Sequence, residues 1–172
     1  MTGPFRLREN CALCGSAKSG LTEVMALKPT PLANDFVARS EIVKPQDHFP
    51  LTLLLCSDCG HLQLAEIIEP ERLFVNYVYV SGTSPVFVEH FRQYAESVSS
   101  RFGIGPNSFV LDIGSNDGTL LKQFQNQGSR DVLGVDPAKK IAAFATASGI
   151  PTEVAFFTQA LAEDIRSRRR TA

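Results

Sequence analysis

The 172-residue chain lacks a surplus of charge of either sign, an apolar run of membrane length, and any cysteine outside two short motifs. Each absence excludes something. A net charge of −1 at pH 7 argues against a dedicated nucleic-acid binder, which needs a broad basic surface to neutralise phosphates. A membrane helix takes about 20 consecutive apolar residues, and no run approaches that length. Nothing like a secretory signal precedes Cys11, so an oxidising compartment and a disulfide framework are not expected. These readings describe a cytoplasmic globular chain with neither nucleic acid nor membrane as partner. Its 44% hydrophobic content and its length suffice for one full domain or two small ones.

All the cysteine is concentrated in Cys11-Ala12-Leu13-Cys14-Gly15 and Cys56-Ser57-Asp58-Cys59-Gly60. Two residues between paired cysteines let one tight turn aim both sulfurs at a common point, and four thiolates complete a tetrahedral Zn²⁺ sphere. The glycine after each pair relieves strain where the backbone folds back towards the sulfurs. Cys11, Cys14, Cys56 and Cys59 are therefore the expected ligands of one structural zinc, with no open position for catalysis. His61 follows the second knuckle but is not needed as a ligand. The 41 residues between the pairs exceed ordinary ribbon spacing, which requires a small subdomain inserted between the knuckles.

Residues 1–65 mix turn residues with short apolar runs and read as a zinc-binding domain with a thin core, stabilised largely by metal. Pro29-Thr30-Pro31 and Lys44-Pro45 break it, and Phe49–Leu55 predicts a strand entering the second knuckle. Residues 66–105 read as a helical connecting segment. Pro70 opens a short helix, the aromatic stretch Tyr77–Pro85 follows, and Phe87, Phe91, Tyr94, Val98 and Phe102 recur at helical spacing up to Gly103. Residues 106–172 alternate strand and helix. Strands are predicted at Phe109–Ile113, Asp131–Asp136 and Ile150–Phe156, and helices at 118–127 and from Pro137 to Gly149. The fold class is α/β: a zinc-ribbon-like domain followed by the first half of a Rossmann-like, doubly wound parallel sheet.

At the carboxyl end of the first predicted strand, Asp112-Ile113-Gly114-Ser115-Asn116-Asp117-Gly118 occupies the position where such sheets bind ligands. Gly114 and Gly118 permit a sharp turn, and Asp136, 22 residues after Gly114, can accept hydrogen bonds from a ribose diol. A dinucleotide fingerprint requires G-x-G-x-x-G, and here Asn116 replaces the second glycine while Asp112 adds negative charge. That combination favours S-adenosylmethionine, which has no phosphate and carries a sulfonium and an ammonium.

The ordered set of motifs is distinctive: Cys-x-x-Cys-Gly, Pro31-Leu32-Ala33-Asn34, Phe49-Pro50-Leu51, Cys-x-x-Cys-Gly-His-Leu-Gln-Leu, Tyr-x-Tyr-x-Ser-Gly-x-Ser and Ile-Gly-Ser-Asn-Asp-Gly. From Cys11 to about Ala162 the chain resembles the zinc-containing, S-adenosylmethionine-dependent C-methyltransferases of deoxysugar biosynthesis. The resemblance implies a nucleotide-diphosphate keto-sugar as substrate, methylated on a carbon beside the carbonyl. It places Asp112, Gly114, Asn116, Gly118 and Asp136 at cofactor-binding positions. The Tyr77–Ser84 stretch matches a segment lining the family's active site, with Tyr79 the first catalytic candidate and Tyr77 the second. The family's downstream histidine and acid have no counterpart in this chain.

A methyltransferase sheet normally carries more strands than the three counted after Pro106. The chain is therefore expected to be a C-terminally truncated form, inactive alone. Four arginines among residues 166–170 read as a solvated end or as out-of-frame sequence. The competing reading is a non-catalytic zinc-binding interaction module with a vestigial half-sheet.

Overall fold

The computed structural model describes residues 5–170, which divide into two compact units between Leu73 and Phe74. The segment 66–105 is shared between them. The first unit holds β1 (Arg6–Leu7), β2 (Leu21–Thr30), β3 (Phe49–Cys56), β4 (Leu62–Leu64) and β5 (Glu66–Ile67). β2, β3 and β4 form an antiparallel sheet in that order, and β1 pairs with β5 in a separate two-stranded ribbon. β3 carries Cys56 at its end directly into the second knuckle. The apolar alternation that should fill a core is almost absent here. Among the described residues of this unit, the buried apolar side chains are Cys11, Phe49, Cys56 and Ala65, so two of four belong to the knuckles.

β2 departs from the sequence reading. It runs through Pro29, where a break was expected, because β2 lies at the sheet edge and the register slips between Leu27 and Thr30. An edge strand tolerates a proline whose missing N–H would otherwise leave a ladder carbonyl unpaired.

α1 (Pro70–Phe74) spans the boundary between the units. The second unit continues with α2 (Pro85–Phe102), β6 (Phe109–Ile113), α3 (Thr119–Asn126), β7 (Asp131–Val135), α4 (Lys139–Ala147), β8 (Thr152–Glu153) and α5 (Gln159–Arg170). α2 begins where Ser84 Oγ accepts the Phe87 N–H with Pro85 in the first turn, and stops at Gly103 in the left-handed conformation. β6, β7 and β8 are parallel, in that order, with β7 central. Leu121, Val132, Ala145 and Ile150 pack with Val110 on one face. Leu133, Val135 and Ile165 pack with Leu111 and Leu161 on the other. Helices on both faces of a parallel sheet make this an α/β, Rossmann-like half-sheet.

One expectation needs correction. The third strand is not Ile150–Phe156 but the two residues Thr152–Glu153, because Ile150 turns inward against α3 and the chain leaves β7 after Glu153. The arginine-rich end is helical, with Arg166 and Arg168 exposed as a solvated end requires. It continues α5, whose Leu161 and Ile165 face the sheet one turn apart. Arg168 pairs with Glu153 at 2.6 Å and Asp164 at 2.9 Å, and Arg169 pairs with Asp131. The Arg169 guanidinium also sits 3.5 Å above the centre of the Phe109 ring.

Candidate metal centre and ligand crevice

The two knuckles fold alike. The Cys11 N–H donates to Ser16 C=O and Gly15 N–H returns to Cys11 C=O; the Cys56 N–H donates to His61 C=O and Gly60 N–H returns to Cys56 C=O. Both turns need a left-handed residue, and Gly15 (φ 79°) and Gly60 (φ 73°) supply it. The result brings all four sulfurs within 4.8 Å of one another, with Cys11–Cys59 and Cys14–Cys56 each at 3.7 Å. Sulfurs bound at 2.3 Å around a tetrahedral centre stand about 3.8 Å apart, so the spacing fits Zn²⁺. It is far too long for disulfides, and all four cysteines are free. His61 is not part of the cluster.

The surroundings tune these sulfurs unequally. Hydrogen bonding from the Cys14 amide pulls the Cys11 thiol down to about 5, and the Ser16 hydroxyl lowers Cys14. Cys59 accepts the His61 N–H, yet burial and the neighbouring sulfurs push it up to about 12. Four thiolates cannot share this space without a cation, and a dication removes that conflict outright. Gln63, buried on β4, orients the cluster from behind: its Nε2 donates to Cys11 Sγ at 3.4 Å while its Oε1 accepts Ala12 N–H at 2.8 Å.

In the second unit, a crevice of about 410 Å³ opens beyond the carboxyl ends of β6 and β7. Gly114, Asn116 and Asp136 line it, together with the aromatic residues Phe74, Tyr77 and Phe156. Asp136 points at the turn: its Oδ2 accepts the Asn116 N–H and its Oδ1 the Ala138 N–H, both at 2.8 Å. Each oxygen retains a second lone pair for a ligand. Asn116 holds a left-handed conformation (φ 51°), which asparagine tolerates.

Two candidates sit elsewhere. Gly118 lies outside the crevice lining and packs against Ile150, which a Cβ would approach to 2.9 Å. Asp112 is half-buried on β6; burial and the charge of Asp136 hold its carboxyl above the usual carboxylate range. Of the two tyrosines, Tyr77 lines the crevice, whereas Tyr79 contributes its backbone carbonyl to Asn116 Nδ2 at 2.9 Å.

Sequence reasoning missed Asp117 and Gly134. Asp117 is buried at the start of α3, where its Oδ1 accepts Thr119 N–H and its Oδ2 the Gly82 N–H. Gly134 admits Ser115 against the centre of the sheet; a Cβ there would stand 2.4 Å from Ser115 Oγ. The Asn-Asp pair opening a predicted helix was the available signal for Asp117, and a glycine inside a central strand was the signal for Gly134.

A four-thiolate zinc centre preceding a parallel α/β sheet with a ligand turn at its carboxyl edge defines the class of protein. Residues 11–74 match the family described as "Putative zinc binding domain". Over 164 residues, 95% of this chain, the sequence is 32% identical to C-methyltransferase NovU of Streptomyces niveus. Residues 11–74 are thus similar to that zinc-binding family, and the chain over most of its length is similar to part of a C-methyltransferase. It spans 38% of that relative's length. No helix among the described residues is long and apolar enough to cross a membrane.

Proposed function

We propose that this chain is the zinc-bearing, S-adenosylmethionine-binding portion of a C-methyltransferase that acts on a nucleotide-linked keto-deoxysugar. The observation that carries the cofactor assignment is the state of the turn's amides. Gly114 and Ser115 donate to Val135 C=O, Asn116 to Asp136, Gly118 to Ser115 C=O and Thr119 to Asp117. A pyrophosphate needs free N–H groups at a helix N-terminus, and here the Asp117 carboxylate already accepts the first amide of α3 while Asp136 accepts that of Asn116. The Asp112–Asp136 pair adds negative charge, which repels phosphate and attracts a sulfonium or ammonium.

When bound, S-adenosylmethionine supplies an electrophilic methyl group. Asp136 would hold the ribose hydroxyls and the aromatic wall would stack the adenine. The Tyr77 phenol supports a role in orienting the sugar or relaying its proton. The substrate carbon beside the carbonyl would lose a proton to a base and take the methyl in line.

Isothermal titration tests this reading. The wild-type chain is expected to bind S-adenosylmethionine, and Asp136→Ala to weaken binding by about tenfold or more, the loss typical of charge-assisted hydrogen bonds. The pH dependence has a definite sign. A carboxyl whose folded pKa is raised holds its proton more tightly in the folded chain, so stability falls as pH rises through that range. A bound cation favours the ionised form, so affinity should rise with pH over the same range. Asp112→Asn should flatten that rise. Affinity that falls with pH, or no binding to the wild type, would count against the assignment.

A further inference from the structure

Asn116 and Asp117 hold the aromatic segment with side chains whose roles the cofactor reading leaves unassigned. Asn116 Oδ1 accepts the Ser81 N–H at 2.9 Å, and its Nδ2 donates to Tyr79 C=O at 2.9 Å. Asp117 Oδ2 accepts the Gly82 N–H at 2.9 Å and is itself buried. The fit is tight as well as polar. A Cβ on Gly82 would stand 2.5 Å from Asp117 Oδ2 and 2.7 Å from Thr119 Oγ1. Asn116 is simultaneously tied through its own N–H to Asp136, on the crevice wall. One residue therefore joins the ligand turn by its main chain to the Tyr79–Ser81 backbone by its side chain, and Tyr77 lies in the crevice only two residues upstream of Tyr79.

We propose that Asn116 and Asp117 are positioning residues that clamp the Tyr77–Gly82 segment onto the cofactor turn, coupling occupation of the crevice to placement of Tyr77. The identity of the ligand rests on the methyltransferase reading, but the clamp is a property of the free chain. A ligand that draws on Asp136 must shift or stiffen the Asn116 amide. The same residue then transmits that change through two hydrogen bonds to the tyrosine segment. Coupling between adjacent sites typically changes affinity about 5- to 150-fold.

The chain offers a direct readout, because it has three tyrosines and no tryptophan. The full 172-residue chain, zinc-loaded and labelled with 3-fluorotyrosine, should give separate ¹⁹F resonances for Tyr77, Tyr79 and Tyr94. Tyr94 lies on α2 and serves as the internal reference. In the free wild type, Tyr77 and Tyr79 are expected as single sharp lines, and S-adenosylmethionine should shift both while leaving Tyr94 in place. Gly82→Ala alters no crevice-lining residue, yet should displace or broaden the Tyr77 and Tyr79 lines and weaken S-adenosylmethionine binding about five- to a hundredfold. Asn116→Gly, which keeps the left-handed backbone and removes both side-chain bonds, should do the same, and it replaces Gly82→Ala as the test if that variant does not fold. Unchanged Tyr77 and Tyr79 lines in a folded variant would overturn the clamp. So would wild-type binding that moves neither line. If S-adenosylmethionine fails to bind the wild type at all, the proposed function falls, while the variant spectra of the free chain still decide the clamp.

Discussion

Replacing Cys56 by alanine is expected to abolish zinc binding and to unfold the first unit while leaving the second intact. Cys56 is 1% exposed, and among the described residues two of the unit's four buried apolar side chains are metal cysteines. The metal thus substitutes for a core that the sequence does not supply. Structural zinc in small domains contributes on the order of 10 kcal/mol, more than the whole stability of many domains of this size. Elemental analysis should fall from one zinc per chain to none. Hydrogen exchange should show loss of protection along β2 and β3, with β6 and β7 unaffected. Full zinc occupancy in the variant, or protected β3 amides without metal, would contradict a structural role for the site.

A single side chain added at Gly134 should damage the second unit, by a smaller amount. Gly134 sits on the central strand opposite Asp112 and Thr152, and its Cβ would meet Ser115 Oγ at 2.4 Å, Ser115 Cβ at 2.9 Å and Thr152 Oγ1 at 2.9 Å. Two of those atoms belong to the turn that forms the crevice wall. Gly134→Val is expected to cost about 1–3 kcal/mol by overpacking and to remove ligand binding by displacing the turn. Gly105→Ala is the matched control. Nothing stands within 4 Å of its Cβ, so its effect should stay within about 0.5 kcal/mol. Chemical denaturation of the two variants side by side measures the difference, and equal stabilities would show that the turn yields easily.

The metal centre was legible in the sequence because thiolate chemistry leaves few options: four cysteines in two knuckles can converge in only one way. The half-sheet was legible for a similar reason, since buried parallel strands read as continuous apolar runs between helical periods. What escaped depends on contacts between distant segments. The Asn116–Asp117 clamp spans 35 residues to Ser81 and Gly82, and no local spacing announces it. The helix at the end of the chain went unread because charge density alone suggests only an exposed tail. Leu161 and Ile165 instead give α5 an apolar face, and Glu153, Asp164 and Asp131 take up Arg168 and Arg169. β8 is short because Ile150 serves the helical layer rather than the strand. Which of the two tyrosines reaches the crevice could not be read either, because only the fold brings Tyr77 to it.

The central claim is that the turn after β6 is a cation-accepting cofactor site in which the Gly114, Ser115, Asn116 and Gly118 amides are already hydrogen-bonded within the chain. Amide chemical-shift mapping of the ¹⁵N-labelled chain, titrated in parallel with S-adenosylmethionine and with a nicotinamide dinucleotide, tests it most directly. The account predicts saturable shifts at Gly114, Asn116 and Asp136 with S-adenosylmethionine and none there with the dinucleotide. Saturable dinucleotide shifts at those residues, or S-adenosylmethionine shifts confined to other parts of the chain, would contradict it.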